Sequence, residues 1–470
     1  MKFELKKLTE ILSGTPDGGI DPHLVVDTSL VCFDSRKLAK GEIFFALVSN
    51  KQNGAKYISD AMKKGAVLAI AESNPDNAKN VILVKDSLKA LQALGKYVRS
   101  QYKGFVIGIT GSSGKTTSKE LVAHMLSAFG KTYWGEGSFN NHIGTPYNLC
   151  RLDFDAPYAV FEMGMDHAGE ISALVDMVRP NLAAVTNIFP MHMEYFKEFK
   201  DIAYAKAEIF EKVVPYKNRR VAIINADASF VDDVLIPQAK KQGIKEIITF
   251  GKKGQIKLKN FAINKDCKTG VDIEIDGKAY HHADLGLGER FAYNATFAVA
   301  VAFALGLDIV KALKAIAGFE PLKGRGKIST VTLRGFDITL VDDSYNGHPE
   351  AMRYAIATLG EIPKNGARKI AIIGKMAEIG SAAEEEHRSV GKVLAVSDVD
   401  VVIGVGKEAK YILDEIPDTK TKIFKENIDG LFEELINSIL RPNDIVLIKG
   451  AHYSSRVFEL ADKLLGIGQK

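Results

Sequence analysis

Residues 105–118 read FVIGITGSSGKTTS. A β-rich apolar run, Phe105 to Thr110, meets Gly111, passes through Ser112 and Ser113, and closes on Gly114-Lys115-Thr116-Thr117. A helical face of Leu121, Val122, Met125, Leu126 and Phe129 follows at once. Strand, glycine turn, Lys-Thr and helix, in that order, form a phosphate-cradling loop. Glycines let backbone N–H groups curl around phosphate oxygens, and the helix N-terminus adds partial positive charge. Lys115 can reach outer phosphates and the Thr116 hydroxyl can ligate Mg²⁺. The spacing is shorter than the general G-x-x-x-x-G-K-[ST] loop, whose first glycine falls on Ile109. An ordinary βα turn with a chance lysine would carry the glycines, but not the whole order.

The chain around this loop has 470 residues, enough for about three domains. Hydrophobic residues make up 46% and charged residues 26%, the balance of a globular protein. A net charge of +4 is too small at this length to argue for nucleic acid or a membrane surface as partner. Cys32, Cys150 and Cys267 lie far apart with no C-x-x-C spacing, which points to a reducing compartment and no metal cluster. The N-terminal MKFELKKLTEIL lacks the continuous apolar core of a signal peptide. The longest apolar stretch, Ala295 to Leu307, falls short of the roughly 20 residues of a spanning helix. A cytoplasmic monomer with no stable membrane insertion is the expectation.

Upstream of the loop, residues 1–102 carry short elements: a strand at Ile43 to Leu47, a helix around Tyr57 to Lys64 ended by Gly65, and a buried strand at Ala66 to Ala71. Downstream, 103–318 alternates strands (Tyr158 to Glu162, Leu182 to Thr186, Val221 to Asn225, Glu246 to Phe250) with helices near 169–178, 201–213 and 291–305. That rhythm predicts a mostly parallel sheet covered on both faces. Residues 256–285 read as short antiparallel strands with a turn at Asp276-Gly277. Residues 319–470 repeat the α/β rhythm, with strands at 338–341, 369–373, 399–403 and 445–448 and helices at 349–359, 384–396, 428–440 and 454–465.

In open α/β sheets ligands sit beyond the carboxyl ends of the strands. Glu162 ends one strand near the phosphate loop and suits Mg²⁺, although a carboxylate before a helix also complements its dipole. Thr186-Asn187 ends the next strand, with His192 shortly after. A lone histidine there is as readily a surface residue as a metal or substrate ligand. Lys206 sits in an amphipathic helix, where a solvated amine is the ordinary reading. Asn140 and Asn141, in the glycine-containing loop 136–146, offer paired donors and acceptors. Asp34 and Arg36 read first as a surface ion pair, with Ser35-Arg36 at a strand end a second reading as a phosphate anchor. Asp342-Asp343-Ser344-Tyr345-Asn346 ends a strand in a polar cluster, with Arg325 upstream.

As a set, CFDSRKLAKGEIFFAL, GITGSSGKTT, NNHIGTP, FEMGMDHAGEI, AVTNI, AKAEIF, GRGKI, DDSYNGHPEAM and GKMAEIGSAAEEEHRSVG resemble the Mur ligases, ATP-dependent amide-forming enzymes of peptidoglycan synthesis. The NNHIGTP, EMG…GEI and DDSYN…P forms point to the branch that acts on UDP-MurNAc-tripeptide and D-Ala-D-Ala. The resemblance implies three domains: residues 1–102 for the UDP end of the substrate, a central ATPase at 103–318 with a P-loop-type parallel sheet, and a Rossmann-like domain at 319–470. It implies that ATP phosphorylates the tripeptide carboxylate and that the dipeptide amine attacks the acyl phosphate.

By the same resemblance, Gly111, Ser112, Ser113, Gly114, Lys115, Thr116 and Thr117 hold ATP, with Asn294 on adenine and Arg325 and Asp343 completing the nucleotide pocket. Thr116, Glu162, His192 and Lys206, the last as a carbamate, hold Mg²⁺; Lys115, Glu162, His192 and Lys206 serve catalysis. Ser35 and Arg36 meet the uridine diphosphate, and Asn140, Asn141 and Thr145 the muramoyl-peptide side. Four stretches depart from the family pattern. Arg290-Phe291 replaces its His-Asn, Gly347-His348 its Ala-Asn, and Lys449-Gly450-Ala451-His452-Tyr453-Ser454 its K-G-S-R-G, and the loop Phe189-Pro190-Met191-His192-Met193-Glu194 differs around its histidine. Two other readings stay open: a sibling ligase adding an amino acid to a different carboxylate, and a nucleotide-binding switch that makes no bond.

Overall fold

The computed structural model describes residues 1–467 apart from positions 51 and 378. Three sheets follow one another along the chain. The first has five strands in the order Thr15–Asp17, Val81–Leu83, Leu68–Ala71, Ile43–Phe45, Val31–Cys32, beside a two-stranded pair of Lys2–Glu4 with Val25–Asp27. The second has nine strands and the third six, the latter in the order Lys327–Leu333, Phe336–Asp343, Ile445–Lys449, Lys369–Gly374, Val401–Val405, Thr421–Lys425. Among the described residues no helix is long and apolar enough to cross a membrane.

The nine-stranded sheet positions the site. Its phosphate-loop strand, Phe105–Thr110, is buried along its whole length, as the unbroken apolar run requires of a central parallel strand. It lies between Tyr158–Glu162 and Leu182–Val185, both parallel to it, with Glu162 opposite Ile109 and Val185 opposite Thr110. The chain steps outward on one side of this strand, to Thr132–Trp134, and then crosses to the other. The carboxyl ends of the strands beside that reversal open the crevice where such sheets take ligands. Beyond Glu246–Gly251 the sheet is extended by Ile256–Ile263, Thr269–Ile275 and Lys278–Leu285, whose two antiparallel pairings match the alternation seen in the sequence.

Several elements differ from the sequence expectation. The loop 136–146 gives way at its end to a helix, Gly144–Cys150. The helix expected at 428–440 is Leu431–Glu434 followed by a wider turn, Leu435–Ile439. The helix expected at 454–465 is broken where Arg456 takes a left-handed conformation, leaving Phe458–Ile467. A helix absent from that reading, Ser87–Gln101, starts on an Asp86 cap to the Lys89 N–H (2.8 Å) and buries Ala90, Leu91, Leu94 and Val98.

Candidate active site

The phosphate loop is clamped from behind by the end of the neighbouring strand. The Ser112 N–H donates to Asn187 O (3.0 Å) and the Ser113 N–H to Asn187 Oδ1 (2.8 Å), while Asn187 Nδ2 returns a bond to Ser113 O (3.0 Å). Thr186 Oγ1 also donates to Ser113 O (2.9 Å). Gly111 is obligatory: its φ is +149°, and a Cβ there would lie 2.0 Å from Thr186 Oγ1. Gly114, left-handed at φ 79°, turns the chain into the helix Lys115–Ser127. The loop is thus fixed in shape before any ligand arrives. Buried Lys119, in the same helix, donates to the carbonyls of Gly135 and Gly137 and fixes the neighbouring loop.

Around this loop the charges are crowded. Lys115 Nζ donates to Gly111 O (2.8 Å), and burial draws its pKa down, against the pull of Glu162. The Thr116 hydroxyl is 3.4 Å from Ser138 Oγ. Glu162 is buried: Oε1 accepts from Asn140 Nδ2 (2.9 Å), and Oε2 has no partner. A buried carboxylate oxygen with a free lone pair beside a threonine-bearing phosphate loop fits a divalent cation. Lys206, the expected solvated helix lysine, is only 2% exposed. Burial first, then the neighbouring cation Lys115, pull its pKa well down, with Asp166 and Glu208 opposing. His192 takes a left-handed conformation, and its Nδ1 lies 3.5 Å from Asp166 Oδ1. Asp166, not singled out in the sequence, therefore bears on Lys115, Lys206 and His192 together.

Residues of the central and C-terminal domains together line a cavity of about 380 Å³. Its central-domain wall holds the loop residues 112–118, Asn140, Asn187 and Asn294, the last accepting from Ser118 Oγ (3.1 Å). Its other wall carries Arg325, Asp343, Tyr345, His348 and Lys449. Arg325 crosses the gap: its guanidinium stacks 4.2 Å from the Tyr345 ring and donates to Ser138 Oγ (2.7 Å). Asp343 Oδ2 takes Arg290 Nη2 (2.8 Å) and Lys449 Nζ (2.9 Å). Burial alone raises the pKa of Asp343, but the two cations outweigh it and hold the carboxyl below its ordinary range. His348 caps the helix Pro349–Glu361 through Nδ1, leaving Nε2 buried without a partner. Burial and the nearby cations Lys449, Arg290 and Lys115 push its pKa down to about 3.

The remaining residues expected at the site lie elsewhere. Arg36, its side chain 86% exposed, forms a two-pronged pair with Asp34 (2.9 and 2.8 Å) and holds that carboxyl down to about 2. Ser35 gives its carbonyl to Lys64 Nζ (2.7 Å). Asn141 Oδ1 accepts from the N–H groups of Ile143 and Gly144, and Thr145, 1% exposed, keeps an unpartnered hydroxyl. None of these four borders the cavity. A trio of Phe33, Phe139 and Tyr147, with centroids 5.1 to 6.0 Å apart, joins the first domain to the loop carrying Asn140 and Asn141. Asn187, Asp166, Arg290 and His348 had no assigned role in the sequence; the strand-end position of Asn187 was the one available signal.

The chain is similar to known proteins over most of its length. The Mur ligase middle domain matches residues 109–302, and the Mur ligase glutamate ligase domain residues 329–452. The chain is 33% identical, over 92% of its length and 94% of the relative's, to a UDP-N-acetylmuramoyl-tripeptide–D-alanyl-D-alanine ligase of Rickettsia prowazekii. It is also 33% identical to the Escherichia coli ligase of that name over 87% of each chain. A crystal structure of MurF from Acinetobacter baumannii superposes with a TM-score of 0.86 at 27% identity, covering 100% of this chain and 99% of that one. MurF ligase from Thermotoga maritima in complex with ADP shares the fold at a TM-score of 0.79 and 24% identity, covering 94% and 99%. By sequence and by fold, the chain belongs to the Mur ligase family of ATP-dependent ligases.

Proposed function

We infer that the chain joins D-alanyl-D-alanine to UDP-N-acetylmuramoyl-tripeptide, the two substrates that the names of its relatives give, and that it cleaves ATP to ADP and phosphate to do so. The observation that supports this most is the cleft: a rigid phosphate loop on one domain and Arg325 and Asp343 of another on the opposite wall. The tripeptide carboxylate attacks the γ-phosphorus of ATP, and ADP leaves. The dipeptide amine then attacks the acyl carbon, loses a proton, and expels phosphate as the amide forms. ATP and a carboxylate are both anions, so the first step needs cations fixed between them. Lys115 and Arg325 supply these from the protein.

Thr116 and Glu162 would hold Mg²⁺, which when bound offsets phosphate charge. His192 and Lys206 would hold a second ion. For Lys206 the reading is a carbamate: its depressed pKa favours the uncharged amine that adds CO₂, and the product is an anionic oxygen donor in place of a repelling cation. Asn294 is assigned to adenine; it lines the cavity beside the loop and accepts from Ser118 Oγ. Ser35, Arg36, Asn140, Asn141 and Thr145 are assigned to the UDP-muramoyl-peptide substrate. Domain limits near 102/103 and 318/319, between the three sheets, complete the reading, together with a monomeric cytoplasmic enzyme.

A nucleotide switch would hydrolyse or hold ATP alone. ADP release that requires the muramoyl tripeptide and the amine together is the expected result. Release at the same rate with ATP and Mg²⁺ only would remove the ligase reading. Lys206→Ala is expected to lose activity and regain part of it with small carboxylic acids; a fully active variant would exclude the carbamate.

A further inference from the structure

Among the described residues, Arg290 is the one in the cleft that reaches from the central helix Gly288–Ala304 to a carboxylate on the opposite domain. It stands one helical turn before Asn294, so both present the same face to the cavity. Its Nη2 meets Asp343 Oδ2 at 2.8 Å, and Lys449 Nζ meets the same oxygen at 2.9 Å. Lys449 is built into the C-terminal domain. It lies opposite Asp343 on the adjacent strand and also donates to Asp343 O (3.1 Å) and Asn346 O (2.7 Å). Arg290 is therefore the cross-domain member of the group. With both cations on Oδ2, no donor among the described residues occupies Oδ1 of this side chain, which lines the cavity.

We propose that Arg290 is a positioning residue: it fixes the Asp343 carboxylate from across the cleft so that Oδ1 is presented to a hydroxyl donor of the bound nucleotide, its sugar. This rests on the cleft being the ATP site. Asp343 and Lys449 stand opposite each other on adjacent strands of one sheet, so both belong to the same domain. Lys449 can hold Asp343 against its own strand, but cannot set where the carboxylate stands relative to the phosphate loop. Arg290 can, because its backbone belongs to the domain that carries the loop. A guanidinium at this reach also ties nucleotide binding to docking of the two domains.

The test is a double-mutant cycle read as Mg²⁺-ADP affinity by calorimetry, with thermal unfolding as the check on folding. Arg290→Met keeps the side-chain length without the charge, and Asp343→Asn keeps the shape. Each is expected to weaken ADP by about 10-fold or more, as loss of a hydrogen bond to a charged group does. The double variant should bind no worse than Asp343→Asn alone, within twofold, and Arg290→Lys should recover part of the loss. KM for ATP should rise with Arg290→Met while KM for the dipeptide stays put. Should Asp343→Asn fail to fold, the KM split and the lysine rescue decide. ADP affinity of Arg290→Met within twofold of the parent overturns the proposal. So does full additivity in the double variant, which would mean that Arg290 touches the nucleotide itself. A parent protein that binds no ADP would instead strike the nucleotide reading of the cleft.

Discussion

Lys115 and His348 illustrate how far single side chains here depend on their surroundings. Lys115 sits among Glu162, Asp166 and Arg325, and in the proposed reaction its charge is what the loop brings to the outer phosphates. Lys115→Ala is expected to lower kcat by at least about 100-fold with little change in thermal unfolding. His348 makes a different prediction. Its folded pKa of about 3 lies below the ordinary 6.5, so between those values the unfolded chain binds a proton that the folded chain does not. Its contribution to stability is complete above pH 6.5 and falls as pH drops towards 3, by at most about 1.4 kcal/mol per pH unit. His348→Asn keeps a good helix cap without a titrating ring, and is expected to flatten the acid side of stability against pH in urea unfolding. Lys115 and Thr116 were legible because strand, glycines and helix all lie within a few residues. The surroundings of His348 were not, since Arg290 and Lys115 reach it only through the docking of two domains, and Lys449 from a strand about 100 residues further along its own domain.

Among the elements, the phosphate loop and the helix Ser87–Gln101 depend most on contacts distant in sequence. Asn187→Ala removes two side-chain bonds to Ser113, a residue 74 positions away, and is expected to weaken nucleotide affinity by about 10-fold, measured by calorimetry. The sequence placed Thr186-Asn187 at a strand end, but register and strand order decide that it faces the loop. In the helix, Gly95 marks a close crossing: a Cβ there would lie 3.0 Å from the backbone of Pro146 in the helix Gly144–Cys150. Gly95→Val is expected to destabilise by about 1–3 kcal/mol, read as a lower denaturation midpoint. The Asp86 cap and the helical spacing of Ala90, Leu91, Leu94 and Val98 spell this element in the sequence. The mid-helix glycine lowers its propensity, and close packing against the second helix explains why a glycine stands there.

At the scale of the whole molecule, alternation of strands and helices was enough to foresee three α/β units and a parallel central sheet. Hydrophobic period and turn residues are local, and they are what the chain spells out. The relation between units is not local. Arg325 to Ser138 spans 187 residues and Arg290 to Asp343 spans 53, and together they line one wall of the cavity from two domains, the wall proposed for the nucleotide. The family motifs supplied Arg325 and Asp343 for that wall. Arg290 stands where the motif differs, and its use became visible only beside Asp343. The acceptor end remains the most exacting test, because Lys449 to Ser454 also departs from the family pattern.

The measurement to make is phosphate release by the purified protein with ATP, Mg²⁺ and UDP-MurNAc-tripeptide, supplied first with D-Ala-D-Ala and then with single amino acids, the product weighed by mass spectrometry. Release with the dipeptide alone, and a UDP-MurNAc-pentapeptide product, is the predicted result. Release only with a single amino acid, or with no acceptor pair at all, would contradict it.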